Sequence, residues 1–285
     1  MKCLVKNESA VGLTLKEKEK PSPNDNEILI KVKKAAICGT DLHIWNWDSW
    51  AQEKIKPPMT VGHEFMGVIE EVGKKIKNFK IGERVSVESH ITGTKSRNAR
   101  AGKLHLDPDT VNLGVDTDGA FAEYVKVPES NVVPLPDSVS DEVGAILDPF
   151  GNAVHTSLSY EMVGEDVLIT GAGPIGIMAV AICNFVGARN VVVTDINDYR
   201  LELAKAMGAN KVINIAKNSI KEFYPELNMI NGFDVGLEMS GNPDAFNSML
   251  DHMYHGGKIA LLGLLPKSTN INWDNIISVS YTHLR

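Results

Sequence analysis

A glycine-rich turn that follows an apolar run is the feature that most constrains the fold of this chain. Residues 167–170 are apolar or β-branched and lead directly into Gly-Ala-Gly-Pro-Ile-Gly at residues 171–176. A strand that ends in this spacing and continues as a helix is typical of a dinucleotide-binding turn. Gly171 permits the tight turn, Gly173 lets the backbone approach a pyrophosphate, and Gly176 lets the helix pack on the strand.

The segments that follow this turn alternate between strands and helices. Predicted strands at 190–194, 211–215, 233–238 and 258–263 alternate with predicted helices at 174–186, 198–207 and 244–253 and a weaker one at 219–224. Alternation at these lengths indicates βαβ units. The sequence therefore predicts a doubly wound parallel sheet in the second half of the chain.

Several residues after the turn are candidates for nucleotide binding. Asp195 ends the next strand, where a carboxylate accepts hydrogen bonds from the ribose of NAD and repels the 2′-phosphate of NADP. An ordinary helix cap is the alternative role. Two interpretations are open for Arg200, which either stacks on adenine or is a solvated helix residue. Leu262, Gly263 and Leu264 follow a later strand, at the sheet edge where the nicotinamide half is expected.

The first half of the chain has a different pattern, with short strands between glycines and prolines. Strands are predicted at 27–37, 65–72, 81–85 and 121–127, which favours a barrel-like β domain. A helical turn is predicted over residues 41–46, capped by Thr40 or Asp41. Residues 92–118 are polar and irregular, which predicts a long surface lobe.

A thiol, an imidazole and carboxylates in this half predict an open zinc site. Cys38 supplies a thiolate and His63 a neutral imidazole, while the residues alone leave open whether Glu64 or Asp148 completes the set. Three protein ligands leave one position for water or substrate, as in catalytic zinc sites. Zinc in such a site is a Lewis acid that lowers the pKa of a coordinated alcohol.

Two further side chains follow Cys38 closely and are candidates for a proton relay. Thr40 offers a hydroxyl, and His43 offers an imidazole whose ordinary pKa lies near working pH. The alternatives are plain structural roles, since a lone cysteine is usually a small buried apolar residue. A threonine at this position also suits a helix cap.

Composition excludes several classes of function. The formal charge of −7 argues against a nucleic-acid partner. The N-terminus lacks the apolar segment of a secretory signal. The sequence contains no run of about 18 uncharged apolar residues, so no membrane span is predicted. The 3 cysteines cannot build a disulfide framework, which favours a cytoplasmic protein.

Segments 36–44, 62–64 and 171–176 resemble the zinc-dependent medium-chain alcohol dehydrogenases. Three more segments are similar to the branch of that family that oxidises L-threonine, namely residues 46–48, 148–156 and 232–241. The resemblance implies an α/β protein with two domains. A GroES-like β-barrel catalytic domain would span residues 1–140, including the lobe at 92–118, and a Rossmann NAD-binding domain would span residues 141–285.

The same resemblance implies a reaction and roles for single residues. The reaction is NAD-dependent oxidation of L-threonine to L-2-amino-3-oxobutanoate, in threonine breakdown to glycine. The implied roles are zinc ligation by Cys38, His63 and Glu64, proton relay by Thr40 and His43, tuning of the metal site by Asp148, NAD contacts by Ile175, Asp195, Arg200 and 262–264, and a substrate contact by His90. Relatives are homotetramers in the cytoplasm.

The chain departs from the family in two places. Similar enzymes carry four cysteines in the lobe, and the matching positions here are Gly93, Ser96, Ala99 and Asp107. Only Asp107 suits zinc, so we expect no structural zinc, and a lobe that is mobile or packed by other means. Residues 278–285 leave the family pattern, and relatives continue further, so we expect a nucleotide domain that is incomplete at its C-terminal end.

Three hypotheses for function follow. The first is a zinc- and NAD-dependent threonine dehydrogenase. The second is a related polyol or secondary-alcohol dehydrogenase, because zinc and NAD chemistry does not name the substrate. The third is an inactive, truncated NAD-binding remnant, which the tail and the lost cysteines favour.

Overall fold

The computed structural model contains two compact units, Met1–Pro149 and Phe150–Arg285. It describes residues 1–278. The sequence predicts a departure from the family pattern over residues 278–285, of which 279–285 lie outside the described residues. None of the helices within residues 1–278 combines the length and the apolar character needed to cross a membrane.

The first unit consists of short strands and short helices. Its strands are β1 (Lys2–Lys6), β2 (Thr14–Glu17), β3 (Glu27–Ala36), β4 (Met59–Thr60), β5 (Glu64–Val72), β6 (Arg84–Val87), β7 (His90–Ile91), β8 (Val111–Asn112), β9 (Tyr124–Pro128) and β10 (Val132–Pro134). Its helices are α1 (Gly39–Asn46), α2 (Ser49–Lys54), α3 (Arg97–Arg100) and α4 (Asp141–Ala145), while α5 (Leu147–Ser157) contains the boundary between the units.

An antiparallel sheet of five strands, in the order β10-β6-β5-β3-β9, forms the core of this unit. Ile28, Ile30, Phe65 and Ile69 from β3 and β5 are all buried in one apolar cluster. The strand predicted over residues 27–37 is therefore confirmed as β3, which pairs with β5 along most of its length.

The lobe at residues 92–118 is held by a hydrogen-bond chain around one buried carboxylate. Asp107 is only 6% exposed and accepts the main-chain N–H of Gly93. The hydroxyl of Ser96 also bonds to this carboxylate, which holds the pKa of Asp107 below its usual value. Ser96 in turn accepts the N–H of Ala99 at 3.1 Å and so caps α3. Gly93, Ser96, Ala99 and Asp107 are thus linked by hydrogen bonds.

The second unit contains a parallel sheet with helices between its strands. The elements after α5 are β11 (Asp166–Thr170), α6 (Pro174–Phe185), β12 (Asn190–Asp195), α7 (Asp198–Ala206), β13 (Lys211–Asn214), β14 (Phe233–Glu238), α8 (Pro243–Leu250), β15 (Met253–Leu261) and α9 (Trp273–Ser278). The strand order is β13-β12-β11-β14-β15, and every pair is parallel. This is the doubly wound order, with its switch point beside the first strand.

Burial on both faces explains why β11 is apolar without interruption. Val167 and Ile169 lie in one apolar cluster, whereas Leu168 lies in another, and all three are fully buried. A central strand of a parallel sheet is covered on both sides, so its sequence shows an apolar run instead of an alternation.

Two predicted elements of this unit need correction. The strand predicted at 258–263 begins earlier, at Met253, because an irregularity in its pairing with β14 takes up Gly256 and Gly257. Glycines inside a strand commonly mark such a bulge, and here they obscured the start. The weak helix predicted at 219–224 is a short 3₁₀ turn over Ile220–Phe223.

The hydrogen bonds around Asp107 generate a first prediction. We expect Asp107→Ala to speed tryptic cleavage at the exposed Arg97 and Arg100 roughly tenfold, because the N–H and hydroxyl donors lose a charged acceptor. Gel analysis of a digestion time course measures the rate. Asp109→Ala, an exposed carboxylate in the same lobe, is the matched control.

Acidification and chelation test the same hydrogen bonds around Asp107 in two further ways. Because the pKa of Asp107 is lowered by folding, the stabilisation is complete above the ordinary aspartate pKa of about 3.9 and is lost as pH falls through the folded value. The protection of amides at residues 93–107 against hydrogen exchange, measured relative to their intrinsic exchange at the same pH, should therefore fall on acidification. A chelator at neutral pH should leave exchange unchanged, and acceleration by a chelator would contradict this account.

Candidate metal and nucleotide sites

The pairing of β3 with β5 brings the predicted metal ligands together. Ala36 at the end of β3 lies opposite Glu64 at the start of β5. Cys38 follows Ala36 in the chain and therefore lies beside His63 and Glu64. Ligand atoms of Cys38, His63 and Glu64 all lie within 4.8 Å of one another, close enough to share one ion.

Asp41 joins the two stretches that carry these ligands. One carboxylate oxygen of Asp41 accepts the N–H of Cys38 at 2.9 Å, which makes Cys38 the N-cap of α1. The other oxygen lies 3.8 Å from Nδ1 of His63. The predicted caps, Thr40 and Asp41, are wrong, because both residues lie inside the helix and Asp41 reaches back to the cap, as the third residue of a capping box does.

Two buried atoms at this point show that the site suits a bound metal. Within residues 1–278, Oδ1 of Asp41 and Nδ1 of His63 are buried without a hydrogen-bond partner. Since Nδ1 of His63 faces Asp41, its Nε2 is the atom left for a metal. A histidine that ligates through one nitrogen commonly directs the other towards a carboxylate, which fixes the ring.

The pKa shifts of Cys38 and Glu64 also indicate that the site suits a metal. Burial raises the pKa of the Cys38 thiol to about 11, and hydrogen bonds from Thr40 only partly offset this. Burial also raises the pKa of Glu64 to about 7, with a further rise from the charge of Asp148. Such a cluster resists ionisation alone, whereas a divalent cation stabilises every charged ligand. Sulfur, nitrogen and oxygen donors of this kind are the set that zinc accepts.

The structure separates the two carboxylates between which the sequence could not choose. Glu64 belongs to the cluster with Cys38 and His63. Asp148, in α5, instead accepts the Ser89 hydroxyl at 2.8 Å and is grouped with Glu88 and His90. The geometry therefore favours Glu64 as the third ligand.

The predicted relay residues share one face of α1. Thr40 and His43 are three positions apart, a spacing that makes side chains neighbours on a helix, and Thr40 lies against the Cys38 thiol. Nδ1 of His43 hydrogen-bonds the Asp48 carboxylate, and its ring packs near Trp50 with centroids 5.9 Å apart. Sequence reasoning missed the role of Asp48, whose only local signal is that of a helix cap.

The glycine turn has the geometry that its sequence predicts. Gly171 has a φ of +97°, and a Cβ at Gly176 would lie 2.0 Å from the carbonyl oxygen of Gly171. Nothing lies within 4 Å of the position of a Cβ at Gly173, just before α6. Ile175 lies in the first turn of that helix, whose free N–H groups and positive dipole end favour an anion.

Asp195 is held at the carboxyl end of β12. One of its oxygens accepts the N–H of Ala172 in the glycine turn at 2.7 Å, and the other accepts two N–H groups just after the strand. Asn197, not Asp195, caps α7, so the alternative role of Asp195 as a helix cap is not the one observed. Arg200 is exposed in the first turn of α7.

A buried glutamate that sequence reasoning missed holds two loops at the carboxyl edge of the parallel sheet. Glu238 ends β14, is fully buried, and its carboxylate accepts the N–H groups of Ser240 and Gly241. Its carbonyl oxygen accepts the N–H groups of Leu262 and Gly263 at 2.9 and 3.1 Å. The loop at 262–264 is thus tied to the loop after β14. The available signal was an acidic residue that ends an apolar strand.

Family comparisons match both halves of the chain. The model of the alcohol dehydrogenase GroES-like domain matches residues 24–137, and the model of zinc-binding dehydrogenases matches residues 174–284. L-threonine 3-dehydrogenase of Chromobacterium violaceum is 57% identical over 277 residues, which cover 97% of this chain and 81% of that protein.

Solved structures are similar over the full chain. An alcohol dehydrogenase of Escherichia coli CFT073 complexed with NADH has a TM-score of 0.90 at 29% identity, covering 100% of this chain and 82% of that one. 2R,3R-butanediol dehydrogenase of Bacillus subtilis has a TM-score of 0.87 at 26% identity, covering 100% and 83%. These matches confirm the predicted fold class, a GroES-like domain with a Rossmann domain.

The contact of Asp41 with both ligand stretches generates a second prediction. We expect Asp41→Asn to weaken zinc binding about 10- to 100-fold, because the ring of His63 loses its charged partner. Zinc retained after dialysis against graded chelator buffers measures the affinity.

Asp137→Asn, an exposed site in the same unit, is the control and should retain zinc like the unmodified chain. Equal retention by Asp41→Asn would show that His63 does not depend on this carboxylate.

Proposed function

The chain belongs to the zinc-binding alcohol dehydrogenase family, and from that premise we propose that it oxidises L-threonine with NAD to L-2-amino-3-oxobutanoate. This is a step in threonine breakdown to glycine. One observation carries the proposal, namely the clustering of Cys38, His63 and Glu64 within 4.8 Å in a chain that also has a dinucleotide-binding turn. The relative from Chromobacterium violaceum supports threonine as the substrate.

The two cofactors have separate binding residues. Cys38, His63 and Glu64 would hold zinc, while the turn at 171–176, Asp195 and the loop at 262–264 would hold NAD. Bound zinc supplies a Lewis acid that lowers the pKa of the substrate hydroxyl, and bound NAD supplies a hydride acceptor. The remaining chemistry is proton transfer, and it falls to side chains of the chain.

Thr40 and His43 carry the proton of the substrate hydroxyl away from the site. The hydroxyl of Thr40 lies against the Cys38 thiol, at the inner end of the path. The His43 side chain is 42% exposed, so its ring can release a proton to water. Asp48 bonds to Nδ1 of His43, which leaves Nε2 as the nitrogen that exchanges the proton.

The setting of the enzyme is part of the same proposal. The cysteines Cys3, Cys38 and Cys183 are free thiols, as in proteins of the reducing cytoplasm. We infer that the enzyme acts there on free L-threonine, with the homotetramer of its relatives as the expected assembly.

Substrate turnover and zinc content test the proposal together. We expect NADH to form with L-threonine at more than ten times the efficiency seen with sorbitol or butanediol, followed by absorbance. We expect Cys38→Ser to lose its zinc and more than a hundredfold of its turnover, because the thiolate holds the metal. Cys3→Ser, a buried site elsewhere in the same unit, is the matched control.

Other outcomes would favour the other hypotheses. Activity on sorbitol or butanediol alone would replace the substrate with a polyol or secondary alcohol. Normal NAD binding with no zinc and no turnover would identify an inactive remnant.

The cofactor preference gives a separate prediction. We expect Asp195→Ser to lower kcat/KM for NAD roughly tenfold and to raise it for NADP, because the carboxylate that bonds the ribose and repels a 2′-phosphate is gone. Steady-state rates with each nucleotide measure the preference. Asp244→Asn, an exposed carboxylate in α8, should change neither value. An unchanged preference in Asp195→Ser would remove Asp195 from the ribose site.

A further inference from the structure

The connection between β6 and β7 is held rigid by a buried asparagine. The side chain of Asn131 is buried and donates to the carbonyl oxygens of Glu88 and His90 at 2.8 and 2.9 Å. The N–H of Glu88 donates back to the carbonyl oxygen of Asn131 at 2.8 Å. Glu88 and His90 therefore project from a fixed backbone, as the side chains of a binding site must.

Three ionisable side chains meet at this connection. Oε1 of Glu88 accepts the main-chain N–H of His90 at 3.0 Å and bonds its ring Nδ1 at 2.6 Å. The buried Ser89 donates its hydroxyl to Asp148 at 2.8 Å. One side-chain oxygen or nitrogen from each of Glu88, His90 and Asp148 lies within 4.8 Å of the others. We call these three residues the acidic recess.

The acidic recess borders the candidate metal site. The charge of Asp148 adds to the rise in the pKa of Glu64, one of the proposed zinc ligands. The same carboxylate also raises the pKa of His90, for which Glu88 is the larger cause. Asp148 therefore acts on both groups. The sheet supports this placement, because Met66, two residues after Glu64, lies opposite Ser86, two residues before Glu88.

The acidic recess carries a negative charge that the described part of the chain does not balance. Two carboxylates face one imidazole, so the net charge is negative whether the ring is protonated or neutral. Within residues 1–278, neither Glu88 nor Asp148 forms an ion pair with a lysine or an arginine. The side chains of Glu88 and His90 are 57% and 47% exposed, so a small cation can reach them.

The substrate of the proposed reaction carries a matching charge. In L-threonine the protonated amino group is on the carbon next to the one that bears the hydroxyl. A side chain that binds this ammonium group must therefore lie beside the metal that takes the hydroxyl. Carboxylates are the strong acceptors for an ammonium group.

We propose that Glu88 and Asp148 form the subsite for the ammonium group of the substrate, so that the protein selects alcohols with a protonated amino group on the neighbouring carbon. This inference rests on the proposed function. His90 is a positioning residue in it, because its ring Nδ1 bonds Oε1 of Glu88 and so holds that carboxylate near Asp148. Glu88 is then a specificity-determining residue that the metal chemistry does not require.

A matched pair of substrates tests the role of Glu88. L-threonine and 3-hydroxybutanoate differ in the amino group, so the ratio of their kcat/KM values measures its recognition. We expect Glu88→Gln to lower that ratio roughly tenfold, which corresponds to the loss of one charge-assisted contact. The loss should come from a higher KM for L-threonine with little change in kcat, because the contact is remote from the reacting bond.

Control variants separate a local effect from a general one. Glu71→Gln makes the same chemical change on an exposed position of β5 and should leave the ratio unchanged. Glu88→Gln keeps the size and the acceptor for His90, and its thermal unfolding should match that of the unmodified chain. If Glu88→Gln does not fold, Ser89→Ala, which removes the hydroxyl bond to Asp148, should lower the ratio in the same direction.

Each result has a defined meaning. Equal losses on L-threonine and 3-hydroxybutanoate, in a chain that oxidises L-threonine, would overturn the ammonium subsite and leave the proposed function standing. If the unmodified chain does not oxidise L-threonine, the proposed function and this inference both fail. A selective loss on L-threonine supports both.

Discussion

The register between β3 and β5 is the constraint on which the candidate metal site depends. It sets Ala36 opposite Glu64 and so brings Cys38 beside His63. A slip of one residue would turn the side chains of a strand to the opposite face of the sheet. The register is fixed by core packing, since Phe65 is buried with its neighbours and apolar burial contributes about 25 cal/mol per Å². Apolar burial thus assembles the ligands, and the metal need not draw them together.

Three buried carboxylates hold loops in place. Asp41, Asp107 and Glu238 are 3%, 6% and 0% exposed, and each accepts main-chain N–H groups from a loop. Burial of a carboxylate without such bonds is costly, so each loop is held to its acceptor. Asp41 differs from the other two, because its second oxygen faces His63 instead of a donor of its own loop. That difference directs its remaining charge towards the candidate metal site.

Local patterns in the sequence predicted most elements, whereas contacts between distant residues remained hidden. The apolar run before Gly171 predicted a central strand because such a strand is buried on both faces. The approach of Asp41 to His63 depends on the pairing of two strands, which no local spacing encodes. The cap of α1 was wrong for a similar reason, since a cysteine is not a usual cap and its role depends on the carboxylate of Asp41. The bonds of Asp107 in the lobe were hidden because they join positions far apart in sequence.

The central claim is that Cys38, His63 and Glu64 form one open metal centre, and X-ray absorption at the zinc edge of the loaded protein tests it most directly. The account predicts a single sulfur neighbour at about 2.3 Å, with the remaining neighbours nitrogen or oxygen at about 2.0–2.2 Å. A substrate that binds at the open position should change the nitrogen and oxygen shell and leave the sulfur distance in place. A spectrum without a sulfur neighbour, or one with several, would contradict the account.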